Sequence, residues 1–100
     1  MYPYLTPASH ARTLAISHGD TANEMHLDAD TILERAYPSA HAKSVPYYDG
    51  AYRLHLRAAA CRRIAYGLEG GREEDFTASQ WHMARAQECR EARDRALAEE

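Results

Sequence analysis

Six histidines, two cysteines and fifteen carboxylates in 100 residues are the side chains from which a metal or nucleophile site would be built. His10, His18 and His26 recur every eight residues, a little over two helical turns. Adjacent members therefore share no ion unless the chain folds back between them. No His-Glu-x-x-His occurs and no Cys–His spacing matches a zinc module. Cys61 and Cys89 fall on apolar stripes and read as small thiols packed between helices. A cysteine nucleophile needs a base about 3 Å away. His82, seven residues before Cys89, is about 10 Å distant along a helix axis. Asp28, Asp30 and Glu34 lack the glycine-centred loop of a calcium site and read as capping or solvated acids. Gly67–Gly71 follows a helix and lacks the Lys-Ser/Thr ending of a phosphate loop. No catalytic residue, metal or cofactor is expected, and the chain reads as a non-enzyme.

Arginine and tyrosine are the more informative residues. Eleven of the twelve basic residues are arginine, and Arg53, Arg57, Arg62 and Arg63 share one predicted helix. Such a helix, with Tyr52 and Tyr66 beside the arginines, has the chemistry to meet phosphates. Arginines framing an apolar surface equally suit a protein interface, where stems pack and guanidinium groups pair with carboxylates. The net charge of −3 favours the protein partner. Residues 1–50 sum to −3, 51–69 to +3 and 70–100 to −3, so acidic segments flank the basic one. Tyr37, Tyr47, Tyr48 and Tyr52 cluster around the Pro38–Pro46 connection, as interface anchors or as the roof of a thin core.

The elements that must position these side chains are helices. Residues 1–5 read as an arm. Thr6-Pro7 resembles a cap and first helical residue, opening a helix to His18 with Gly19 as its stop. Thr21-Ala22-Asn23-Glu24 resembles a capping box for a second helix ending before Pro38. Residues 38–50 read as a connection, with Asp49-Gly50 as a turn or cap. Ala51, Leu54, Ala58, Cys61, Ala65 and Leu68 then form a heptad-like packing seam closed by Gly70-Gly71. Thr77-x-x-Gln80, with Phe76 and Trp81 as a hydrophobic staple, predicts the last helix. There is one valine and no alternating run, so strands are not expected.

Nineteen of the residues are alanine, and Leu, Ile, Val, Met, Phe and Trp together number only 17, so the core must be thin. The fold expected is all-α: one small bundle of three to four helices, residues 6–37 supplying the first and 51–98 a C-terminal αα-hairpin. A thin core beside a wide apolar third-helix face predicts a homodimer. Absence of a long apolar span or basic leader predicts a cytoplasmic protein off the membrane, and two cysteines fit free thiols. The function expected is a protein-interaction module, an adaptor or inhibitor of a larger protein, such as a phage-encoded inhibitor of a nucleic-acid-handling defence machine. A helical nucleic-acid binder is the alternative, with direct binding disfavoured, and a small enzyme comes a distant third.

Overall fold

The computed structural model describes residues 6–35 and 38–99. The expected arm and Tyr37 lie outside them. Three helices account for nearly all of the rest: α1, Pro7–Glu34; α2, Ala40–Gly67; and α3, Glu73–Ala98. No strand occurs among the described residues, and the all-α expectation holds with three helices. α2 runs antiparallel to both neighbours and lies between them, while α1 and α3 meet chiefly through side chains. The body measures 53 × 24 × 14 Å, and its 15.9 Å radius of gyration exceeds the roughly 13 Å of a compact chain this long.

Thr6 caps α1 as expected, its Oγ1 accepting the Ser9 N–H at 3.0 Å with Pro7 at the first helical position. The helix does not stop at Gly19. That glycine is buried, and a Cβ on it would stand 2.8 Å from His82 Cε1. Its lack of a side chain serves the close passage of α3, not termination. Thr21, expected as a cap, instead donates to the Ser17 carbonyl one turn back. The two predicted N-terminal helices are therefore one.

Residues 40–50, expected as connection, are the first three turns of α2. Asp49 and Gly50 lie inside the helix because the Asp49 carboxylate is held there by Arg53 and Arg93, both at 2.8 Å. Pro46 is tolerated on the exposed side. The link to α3 turns at Gly70, whose φ of +87° favours glycine; a Cβ there would also strike Thr6 Oγ1 at 2.6 Å. α3 starts at Glu73, before the predicted Thr77 box, because Asp75 caps it by accepting the Arg72 N–H at 3.0 Å. Trp81 is exposed instead of stapled, and Phe76 packs on Tyr66 at 5.3 Å.

Alanine sets the helix spacing. Ala8, Ala15, Ala22 and Ala29 of α1 face Ser44, Ala51, Ala58 and Ala65 of α2, every one fully buried. With no long side chain between them the two backbones approach closely. Half of the predicted seam thus holds its place, at Ala51, Ala58 and Ala65. Leu54 and Cys61 are only half-buried and Leu68 is exposed. In place of Leu54 and Cys61 the next residues, His55 and Arg62, turn inward, with Tyr48 seven residues before His55, because α1 and α3 offer those polar side chains partners in the interior.

Candidate functional site

Three polar layers, seven residues apart on every helix, fill the space between the alanines. At the first, Asp75 has no exposed side-chain surface. It accepts from Arg12 Nε and Nη2 at 2.8 and 2.7 Å and from Arg62 Nη1 at 2.8 Å. The Arg12 hydrogen bonds first, then Arg62 and the Arg72 N–H, outweigh burial and hold the carboxyl far below the usual range. Asp75 is therefore ionised at physiological pH. Arg62, expected as a surface contact, is turned inward by it.

At the second layer His55 Nδ1 and His82 Nδ1 are 3.0 Å apart, with Gly19 of α1 beneath the His82 ring. His55 is fully buried and its Nε2 has no partner. A proton on His55 Nδ1, donated to His82 Nδ1, leaves only an acceptor unsatisfied; the opposite arrangement buries an unpaired N–H. Burial lowers the His55 pKa to about 4, reinforced by His82, Arg85 and His26. Burial, then Arg62, lowers that of His82 as well. Both imidazoles are neutral at physiological pH.

The third layer places Cys89 Sγ 3.5 Å from His26 Nδ1, with His26 Nε2 3.7 Å from Asp30. A Cys–His–Asp row of this kind would suggest a nucleophile, but the thiol is fully buried and burial raises its pKa to about 11. An activated cysteine needs access and a depressed pKa. Asp30 is occupied by the Tyr48 hydroxyl, which donates at 2.6 Å and whose own pKa is raised by burial and by that bond. Among the described residues no three His, Cys, Asp or Glu side chains gather where a metal would be held. The layers organise packing.

The grooves of the outer surface include two of about 500 and 600 Å³. One, of about 500 Å³ between α2 and α3, has Leu56, Ala59, Ala60 and Met83 along its floor and Arg63 and Gln80 on its rims. At one end the Arg63 guanidinium lies 4.8 Å over the Phe76 ring. Toward the other end of the helix pair Arg93 binds Asp49 over Tyr52, at 5.3 Å from that ring. Arg53, also on Asp49, is exposed. Arg57 follows Leu56 on the outward side of α2. Arg57 and Arg63 enter no ion pair among the described residues. The second groove, of about 600 Å³ between α1 and α3, is mixed, with Asn23, His26, Asp30, Arg85 and Glu88 beside Leu27 and Trp81.

The predicted residues therefore separate. Tyr48 is buried, and Arg62 and Tyr52 are half-buried; Arg53, Arg57 and Arg63 are exposed on α2, and Tyr47 is exposed near the start of the same helix. No helix among the described residues is long and apolar enough to cross a membrane. Comparison with protein-family models, curated proteins and solved structures finds no match to this chain. The polar layers escaped reading because a packing seam is sought among apolar residues. Their signal was the seven-residue recurrence of 12/19/26, 48/55/62 and 75/82/89, with α1 and α3 partners 63 positions apart.

Proposed function

We propose that the chain is a non-enzymatic interaction module, an adaptor or inhibitor, that binds a larger protein through the groove between α2 and α3. The observation that carries this reading is an apolar groove with Ala60 and Met83 exposed in it and Arg63 on its rim, an arginine that enters no ion pair among the described residues. Buried apolar area supplies the affinity of such a contact and the arginine its selectivity for an acidic surface. The titratable clusters that would serve a reaction are interior and committed to one another. A phosphate backbone is a poorer occupant, because the flat apolar floor offers it nothing and the acidic flanking segments repel it.

The test is co-purification with the tagged chain, before and after nuclease, using wild type, Met83→Lys in the groove and Ser17→Ala on α1. A protein held stoichiometrically after nuclease by wild type and Ser17→Ala, but lost from Met83→Lys, supports the reading. Loss of every bound component on nuclease treatment, or equal retention by Met83→Lys, contradicts it.

A further inference from the structure

From Thr13 to Glu34, α1 contains no lysine or arginine and five carboxylates. Asp30 is turned toward Tyr48; Asp20, Glu24, Asp28 and Glu34 are exposed. On the side of α1 turned away from the buried alanines, Ile16 and Leu27 are 48% and 65% exposed, Leu27 at the edge of the α1–α3 groove. They stand eleven residues apart, three turns along one line of the helix. The molecule thus carries an acidic helix face with two apolar anchors and, beyond α2, an apolar groove rimmed by Arg63, which enters no ion pair among the described residues. The first is what the second lacks, yet α2 lies between them, so neither can cover the other within one chain.

We propose that a second copy of this chain docks its α1 outer face into the α2–α3 groove, head to tail. The inference rests on the reading of that groove as a docking face and adds a weak second occupant, which the larger protein displaces when it binds there. Ile16 and Leu27 enter over Ala60 and Met83, while the carboxylates of Asp20 and Glu24 between them meet Arg63 on the groove rim. The two patches differ, so the contact is heterologous: each pair leaves one groove and one α1 free, and mass rises with concentration. A helix face about 40 Å by 10 Å buries roughly 800 Å² in total, at the weak end of specific interfaces. A contact of this size is weak and reversible.

Sedimentation equilibrium from about 10 µM to 1 mM, at about 50 and 500 mM salt, reads this out. Wild type rises above 11.3 kDa at low salt and associates at least tenfold more weakly at high salt. Met83→Lys loses the groove, and Asp20→Lys/Leu27→Lys loses the α1 face. Each alone stays near 11.3 kDa, yet an equimolar mixture forms a two-chain species and nothing larger, since each supplies the surface the other lacks. All substituted positions are exposed, circular dichroism confirms folding, and the salt series on wild type needs no variant. A wild type that stays at 11.3 kDa throughout, a mass rise indifferent to salt, self-association by either variant, or a monomeric mixture overturns the proposal. If wild type is monomeric while Met83→Lys still loses a captured protein, self-docking alone is refuted and the docking face stands.

Discussion

Acidification from about pH 7.5 to 5.0 should destabilise the bundle through the His55–His82 pair. The His55 pKa falls from 6.5 in the unfolded chain to about 4 in the fold. The neutral ring is therefore favoured by folding. That stabilisation is complete above pH 6.5 and is lost as pH falls from 6.5 toward 4. At about 1.4 kcal/mol per unit, the loss by pH 5 is about 2 kcal/mol, reaching about 3 kcal/mol below the folded value. His82, lowered too, adds in the same direction. Arg62 and Arg85 from the neighbouring helices and His26 from α1 all oppose a positive charge here. Asp75 and Asp49 behave oppositely: their lowered pKa values give stability that is lost only below about pH 4, outside this window. For a domain of this size about 2 kcal/mol corresponds to a fall in Tm of roughly 8–16 °C. Calorimetric melts at half-unit intervals and constant ionic strength measure it, with His55→Gln as control. A Tm constant across the window, or a slope undiminished in His55→Gln, refutes the reasoning.

The other predictions are more local. Gly19→Ala, which would stabilise an ordinary exposed helix by about 1 kcal/mol, should destabilise this one because its Cβ would meet the His82 ring at 2.8 Å; the sign should reverse in a His82→Ala background, read by urea denaturation. Asp75→Asn should cost about 3–5 kcal/mol by leaving two largely buried guanidinium groups without countercharge; a loss under about 1 kcal/mol by the same assay contradicts the ion-pair assignment. Iodoacetamide at mildly alkaline pH should label half-buried Cys61 in the native protein and Cys89 only after unfolding, by mass spectrometry, since the Cys89 thiol is enclosed and protonated.

What could be read from the sequence follows from which signals are local. Thr6-Pro7 needs nothing beyond its own turn, and its cap is present as expected. Ala51, Ala58 and Ala65 also declared themselves, because alanine at seven-residue spacing has few other uses. Gly19 and Asp49-Gly50 carry breaker signals that tertiary contacts override: an imidazole crosses at Gly19, and two arginines hold Asp49 within the helix. The interior was the least legible part, since Tyr48, His55 and Arg62 each look like surface residues until α1 and α3 supply their partners. Of the four arginines expected as one patch, Arg62 is drawn inward by Asp75 and Arg53 is tied to Asp49, which leaves Arg57 and Arg63 exposed and in no ion pair among the described residues.

Whether those two arginines address a protein or a phosphate backbone is decided by titrating generic DNA and RNA, duplex and single-stranded, at about 150 mM salt, with wild type beside Arg57→Gln/Arg63→Gln. A protein-docking face predicts no binding of micromolar strength for either protein and no difference between them. Micromolar or tighter binding by wild type, weakened by the substitutions with a salt slope reduced by about two phosphate contacts, would contradict it.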